Sequence, residues 1–295
     1  MANSITKFKK YIDRLDAVYK EASLTADLDG DSTLVRDGAN ANEIVIPKMS
    51  LDGLADYSRN SGYVSGSATL TNETVQFNYD RGRKFNIDAM DNEETAGVAF
   101  GKLASEFIRT KVAPEQDAFR FATYAGTSGI SKVDSGVTYS TGADWLAGIL
   151  AGVNALDEDE VSQEGRILYI TPTGYNAIMS VDTTKSKEIL NGFSKIVKVP
   201  QSRFYTKITL KTGGAGQTEG GYVVHDDGKD INFMIIQKDA VLQYPKHTVN
   251  KIISPELNQE NDGWLFFFRG YGLADVYENK VSGIYLSHKA TATSL

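Results

Sequence analysis

The chain has no cysteine among its 295 residues, which excludes disulfide bonds, thiolate metal sites and cysteine nucleophiles. Histidine is scarce: His225, His247 and His288 lie far apart, and no pair has the spacing of a metal site. The sequence contains neither a G-x-S-x-G nucleophile elbow nor a Walker-type phosphate-binding loop. No residue is left to nominate for a catalytic, cofactor or metal site, so we expect a protein that is not an enzyme.

Long apolar runs are also absent. The longest, Phe233–Ile236 and Leu265–Phe268, are far shorter than the roughly 20 residues that a membrane-spanning helix needs. Charged side chains occupy the first twenty residues and no apolar run follows them, so no signal peptide is predicted. We expect a protein that is soluble where it is made and has no membrane partner.

Positive charge is in deficit, because the formal net charge is −7. An acidic chain gains little from counterion release on DNA, which disfavours broad nucleic-acid binding. The alternating aspartates of Asp27–Asp31 resemble a calcium loop, but Ser32 and Gly38 stand where an EF-hand requires glycine and glutamate. The acidic run Asp157–Glu160 is typical of a solvated helix end.

The residues that are present indicate a globular core. Hydrophobic residues make up 41% and charged residues 23% of the chain, which is ordinary for a folded domain. Its length fits one large or two medium domains at about 150 residues each. Thr141 to Ala240 has the alternating helix and strand patterns of an α/β lobe, in which Thr141 is predicted to cap the first helix and Gly213–Gly221 to form a flexible loop. Val241 to Ser287 is rich in strands, and two of them are predicted at Trp264–Arg269 and Gly272–Tyr277.

The strongest helical pattern runs from Asp91 to Tyr124. Asp91 and Glu94 form a candidate capping box, and an apolar stripe follows at helical spacing. Pro114 should kink or split this helix, because proline removes a backbone donor and its ring clashes with the preceding turn. A continuous helix of about 33 residues would span ~50 Å, a length that suits a structural spine.

Two further segments each leave two interpretations open. Near the N-terminus, an apolar seam at helical spacing predicts a helix that packs on its own domain or docks on a neighbour as an arm. The polar ribbon Asp56–Asn72 lies between a short strand at Ile44–Pro47 and a long strand predicted at Glu73–Ala89. An isolated two-stranded hairpin is marginally stable. The ribbon is therefore either a disordered surface loop or an arm laid across a neighbouring subunit.

The cluster Arg81, Arg83 and Lys84 is unusual on an acidic chain. Charges on an edge strand block aggregation between sheets. The same charges could also form salt bridges with an acidic neighbour and set the register between subunits. These two interpretations are compatible.

The order of these segments resembles the major capsid proteins of tailed bacteriophages, which have the Hong Kong 97-like fold. Local sequence agrees at the junction of loop and spine helix, the mid-helix proline, a strand-to-helix step of the axial lobe and the C-terminal strands. The matching stretches are Arg81–Asp88 with Asp91–Thr95, Val112–Asp117, Ile167–Pro172, Gly263–Arg269, Gly272–Val276 and Glu278–Tyr285.

The resemblance implies an α+β fold with an N-terminal arm, an extended two-stranded loop, a long spine helix in a peripheral domain, and an α/β axial domain. The implied boundaries are residues 1–43 for the arm and 44–89 for the extended loop. Residues 90–140 would form the spine helix and the first part of the peripheral domain, 141–240 the axial domain, and 241–295 the peripheral-domain strands and the C-terminal return.

The implied function is that of a structural subunit of the virion shell. The shell would be assembled in the cytoplasm of the bacterial host. Copies would form hexamers and pentamers of an icosahedral head around double-stranded DNA that is bound without sequence recognition. Some relatives carry a long scaffolding region fused to the N-terminus. Only about 43 residues precede the loop here, so a separate scaffolding protein is expected as a partner. The resemblance also implies a portal as a partner. The residues that we expect at subunit interfaces are Ile5, Phe8, Ile12, Leu15, Tyr57, Arg59, Tyr63, Arg81, Arg83 and Lys84.

Two alternatives stay open at this point. An encapsulin-like compartment would share the fold but enclose protein cargo. An α+β enzyme or ligand-binding protein would instead have a pocket with convergent polar groups. Some phage relatives cross-link a lysine near the loop tip to a neighbour; Gly53–Asn72 contains no lysine, so no such cross-link is expected.

Overall fold

The computed structural model describes residues 23–30, 43–90, 98–132, 135–181 and 183–292. The predicted N-terminal helix and the capping box at Asp91 and Glu94 lie outside these residues. Within them the chain folds into helices and several sheets, which confirms the α+β class. The strands in chain order are β1 (Glu43–Leu51), β2 (Ala68–Gln76), β3 (Tyr79–Asp88), β4 (Ser131–Lys132), β5 (Arg166–Ile170), β6 (Lys195–Lys198), β7 (Ile208–Leu210), β8 (Tyr222–Val224), β9 (Lys229–Gln237), β10 (Val241–Ile253), β11 (Gly263–Val276) and β12 (Ile284–Ala292).

The spine helix runs through Pro114 without splitting. It consists of α1 (Val98–Phe107), a π-helical turn (Ile108–Val112) and α2 (Ala113–Gly126). A proline ring clashes with the carbonyl four residues before it in a regular α-helix. The wider π-turn immediately before Pro114 shifts the hydrogen-bond register there, while the backbone of Phe107 and Ala113 stays in the right-handed helical region. The proline therefore changes the helix locally and does not break it.

An antiparallel sheet in the order β10-β11-β3 packs on the first half of the spine helix. Phe85 of β3 meets Phe107 of α1 with ring centroids 4.7 Å apart, and Phe107 also contacts Phe266 and Phe268 of β11 edge to face. Two strands were predicted around Gly270, but β11 continues through it, because its ladder with β3 is unbroken from Gly263 to Gly272.

A five-stranded mixed sheet, β4-β12-β9-β5-β6, forms the second body. Successive residues of β5 point to opposite faces, as strand geometry requires. Leu168 and Ile170 pack under the helices α3 (Gly142–Glu158), α4 (Pro172–Met179) and α5 (Thr183–Asn191), whereas Tyr169 faces the spine helix. The Tyr169 ring lies 5.1 Å from that of Phe121 on α2. The predicted cap at Thr141 is confirmed, and Asp144 completes a capping box there.

The long strand predicted at Glu73–Ala89 is wrong in one respect, because it is two strands that pair with different partners. β2 pairs with β1, whereas β3 pairs with β11. Between them the Asn78 side chain donates to the carbonyl of Ala274 at 2.7 Å and accepts from its amide at 3.1 Å. This side chain satisfies the backbone where the chain crosses from one sheet to the other.

A buried carboxylate fixes residues 23–25 to the spine helix. Asp117 of α2 is fully buried and accepts hydrogen bonds from the amide of Leu24 (3.1 Å) and from the Thr25 hydroxyl (2.8 Å). It also accepts from Arg203 Nη1 at 3.1 Å. Arg120, one helical turn later, donates to the Thr25 hydroxyl at 2.7 Å. The polar groups of this junction are thus paired with one another, which offsets the cost of burying them.

We expect Asp117→Ala to lower the free energy of unfolding by about 3–5 kcal/mol, because removal of one partner leaves the other buried polar groups unpaired. Urea unfolding of the unassembled subunit measures this change. Asp226→Ala, at an exposed turn, is the matched control and should change stability little. Equal stability of the two variants would show that the Asp117 junction does not stabilise the fold.

Candidate assembly surface

Strands β1 and β2, together with the residues between them, form a two-stranded ribbon that contains the polar segment Asp56–Asn72 and is called the ribbon from here on. The root of the ribbon is packed on the body. Ile44 is buried with Leu242 and Leu273 of the neighbouring sheet. Further out, Lys48 pairs with Glu278, and this contact holds the pKa of the Glu278 carboxyl below its usual range. Burial is the largest cause that raises the pKa of Glu73, which faces the same pair. Beyond Lys48 the strands have no packing partner among the described residues.

The distal part of the ribbon exposes apolar side chains that ordinarily lie in a core. Leu54 is fully exposed and Tyr63 is 90% exposed. On one face of the strand pair, Met49 lies opposite Leu70, and both are mostly exposed. The large apolar residues exposed along this ribbon are Met49, Leu51, Leu54, Tyr57, Tyr63, Val64 and Leu70. Several large apolar side chains exposed on one element are typical of an interaction site.

The tip of the ribbon is shaped by its own contacts. Ser58 and Gly62 exchange backbone hydrogen bonds of 3.2 and 2.8 Å and close a three-residue loop. Gly62 has a φ of +79°, a left-handed conformation that favours glycine. The rings of Tyr57 and Tyr63 lie 4.8 Å apart beside this bridge, and Arg59 is exposed at the turn. The structure therefore brings together, at the tip of the ribbon, three of the residues predicted at subunit interfaces.

The basic cluster is divided between the two faces of β3. Arg81 reaches the spine helix and binds Glu115 through Nε (2.7 Å) and Nη2 (3.3 Å). This contact raises the pKa of Arg81, and the same guanidinium donates to the carbonyl of Gly221 at 3.2 Å. Arg83 donates to the carbonyl of Thr218 at 2.8 Å, while Lys84 on the opposite face pairs with Glu260. All three side chains have partners within the chain; their contact with a neighbouring subunit stays a prediction.

The four predicted interface residues of the N-terminal seam, Ile5, Phe8, Ile12 and Leu15, lie outside the described residues. The structure describes only the segment that follows them, residues 23–30. Leu24 and Thr25 of this segment are bonded to Asp117 and Arg120 of α2.

A cleft that the sequence interpretation missed lies between β3, the spine helix and the loop from Lys211 to Tyr222. Its volume is about 1030 Å³. Aromatic, aliphatic and charged side chains of both signs line it, among them Phe85, Leu103, Phe107, Phe268, Arg83, Lys111, Lys211, Glu106 and Glu219. The part of this loop from Gly213 to Gly221 was predicted to be flexible. The glycines adopt positive φ at 213, 216, 220 and 221, and the Gln217 side chain accepts from the Thr212 amide at 2.9 Å.

Within the described ranges, no group of three or more histidine, aspartate or glutamate side chains could hold a metal ion. In the same part of the chain, no helix is both long and apolar enough to cross a membrane.

Two arginine–carboxylate pairs of similar geometry allow a test of burial. Arg81 and Glu115 are mostly buried, with side chains 22% and 11% exposed, whereas Arg269 and Asp80 are 58% and 48% exposed. We expect Arg81→Ala to lower the free energy of unfolding by about 1–3 kcal/mol, because the buried Glu115 carboxylate loses its cationic partner and keeps the weaker 3.3 Å hydrogen bond from the Tyr79 hydroxyl. Arg269→Ala should have a much smaller effect, since solvent screens that pair. Urea unfolding compares them, and an equal loss would contradict this account.

No model of a known protein family matches the chain, and no curated protein matches its sequence. Solved structures do resemble it. A chain of Mycobacterium phage Che8 is similar with a TM-score of 0.64 and 12% identity, over 92% of each chain. The capsid structure of cyanophage P-SCSP1u gives a TM-score of 0.57 and 14% identity, over 87% of this chain and 86% of that one. A virus-like particle from Pyrococcus furiosus gives 0.58 and 14%, over 95% and 99%.

These likenesses extend over nearly the full length of both chains, so they describe a whole architecture and not a shared local motif. Their low sequence identity means that they establish the fold alone. The chain has the fold of the tailed-bacteriophage capsid proteins, as its segment order predicted.

Proposed function

We propose that this chain is the major capsid protein of a tailed bacteriophage, a structural subunit that assembles with copies of itself into a closed shell. Hexamers and pentamers would form an icosahedral head around double-stranded DNA. The single observation that carries the proposal is the distal ribbon, whose apolar side chains are exposed in the isolated subunit. A large apolar surface with no partner among the described residues of its own chain is typical of a site that another molecule covers.

The capsid-like fold supports this role, because in a shell the molecule that covers the ribbon would be another copy of the same chain. The resembling structures include a phage capsid and a virus-like particle. A ribbon that extends from a packed root suits contact between copies, since its anchor through Ile44 and Lys48 stays on its own subunit. The exposed half is then free to lie across a neighbour. In this role the chain turns over no substrate.

The virus-like particle from Pyrococcus furiosus supports a second candidate, an encapsulin-like protein compartment. That function would use the same fold but enclose protein cargo. We favour the phage head because the segment order and local motifs match phage capsid proteins. A separate scaffolding protein, a portal and assembly in the cytoplasm of a bacterial host belong to the same proposal.

Electron microscopy and nuclease protection of purified particles distinguish these functions. We expect uniform closed shells that protect double-stranded DNA from nuclease when they are isolated from infected cells. Small shells filled with protein would favour the compartment, and a stable monomer under all assembly conditions would contradict both. Uniform full-size shells from this chain expressed alone would contradict the need for a separate scaffolding protein.

The ribbon also predicts how the shell is held together. Its segment from Gly53 to Asn72 contains no lysine, so no amide cross-link can form from a lysine at the loop tip. We expect boiled and reduced mature particles to run as single chains in denaturing electrophoresis. A ladder of covalent multimers in that experiment would show that another lysine is used.

A further inference from the structure

Helix α5 ends in an exposed asparagine–glycine pair. Asn191 is the last residue of α5, and Gly192 begins the turn that leads to β6. Asparagine is followed by glycine nowhere else in the sequence. The side-chain carbonyl carbon of an asparagine is an electrophile, and the backbone nitrogen of the following residue can close a five-membered ring on it. Whether this happens in a folded protein depends on how firmly the two groups are held.

Neither group is firmly held at this turn. Within the ranges that the structure describes, no hydrogen bond engages the carboxamide of Asn191. The backbone nitrogen of Gly192 donates to the carbonyl of Ile189 at 3.4 Å, beyond the usual upper limit of about 3.2 Å for such a bond. The end of a helix also opens locally at a low cost in free energy. The electrophile and the nitrogen are therefore both available to react.

Glycine leaves the approach to the side chain open. A Cβ atom at position 192 would crowd the carbonyl carbon as the ring closes, whereas glycine has no Cβ and its backbone turns at little cost. The exposed pair of Asp52 and Gly53 on the ribbon is not equivalent, because an ionised carboxylate repels a nucleophile. Asp52 also accepts from the Ser67 amide at 2.6 Å. Asn191 thus combines a neutral electrophile with an unhindered nucleophile.

We propose that Asn191 is a site of spontaneous deamidation, which converts it to aspartate and isoaspartate without an enzyme. The nitrogen of Gly192 bonds to the side-chain carbonyl carbon of Asn191 and loses its proton to solvent, while the side-chain nitrogen takes up a proton and leaves as ammonia. Water then opens the succinimide ring. Cleavage of the new bond gives aspartate, and cleavage of the original peptide bond gives isoaspartate. The reaction consumes one water, and it does not depend on the proposed shell function.

Both products disturb the turn between α5 and β6. Aspartate places a negative charge at the C-terminal end of the helix, where the helix dipole disfavours it. Isoaspartate adds one methylene group to the backbone between Leu190 and Phe193, whose side chains both pack in the core beneath the helices. The modification therefore loosens the attachment of α5. Because the reaction is irreversible, the modified fraction rises with the age of the protein.

Mass spectrometry of the folded chain tests the site. The purified chain is incubated at physiological temperature and mildly alkaline pH in water enriched in heavy oxygen, and is then digested with trypsin in ordinary water. Cleavage after Lys187 and Lys195 releases the peptide Glu188–Lys195, which contains the site. We expect its aspartyl and isoaspartyl forms to accumulate with one heavy oxygen at Asn191. The exposed Asn60, which serine follows, should react much more slowly, and equal rates at the two positions would contradict the proposal.

Gly192→Ala is the matched variant, because it keeps Asn191 and adds only a Cβ atom. That atom would meet the carbonyl oxygen of Ile189 at 3.4 Å, an ordinary contact, so the variant should fold. We expect deamidation to slow about tenfold, the effect of a steric penalty of ~1.4 kcal/mol on the barrier. An unchanged rate would show that the nitrogen at position 192 is not the nucleophile and would overturn the proposal.

The chain unfolded in urea provides the second comparison, because its Asn191 is free of structural constraint. We expect the folded chain to form the same two products as the unfolded chain. If the unfolded chain alone were modified, the turn would protect Asn191 in the native protein, and the proposed site would be wrong.

Discussion

The fold depends on a pair of carboxylates near the start of α2. Glu115 binds Arg81 and so holds β3, the strand that leads out of the ribbon, against the spine helix. Asp117, two residues later, accepts from residues 23–25 and from Arg203 beside the five-stranded sheet. Because both carboxylates are buried and bonded, the relative positions of ribbon root, N-terminal segment and second sheet are fixed from one helix. Charged groups buried in this way are tolerated only when their partners are in place.

The sequence predicted the parts of this architecture that depend on periodic patterns. The apolar stripe of the spine helix, the cap at Thr141 and the short apolar strand β5 are local properties, and each is present in the structure. The split between β2 and β3 was not predictable in the same way, because both strands have the same alternation. What separates them is the hydrogen bonding of Asn78 to Ala274, almost two hundred residues away. The π-turn before Pro114 likewise follows from a steric conflict whose resolution the sequence does not specify.

In the candidate site, too, the features that depend on local sequence could be predicted, and those that depend on long-range contacts could not. Tyr57, Arg59 and Tyr63 could be predicted together as interface residues because they lie in one seven-residue stretch of a polar, glycine-containing segment. The cleft could not be found from sequence, since its residues come from β3, the spine helix and a loop more than a hundred residues further on. The two basic residues Arg81 and Arg83 were visible, but their partners Glu115 and Thr218 were not. Long-range pairing, and not composition, decides which of these cations remain available.

The uninterrupted register of β1 and β2 has a consequence for how such proteins can diversify. Every residue from Glu43 to Leu51 has a partner, and no bulge interrupts the ladder. Insertion of two residues into each strand would lengthen the projection by about 7 Å and leave every side chain on its original side. Insertion of a single residue would turn the outer half over. The length of the ribbon can therefore vary among descendants in discrete steps, while the root of the ribbon and the body beneath it need not change.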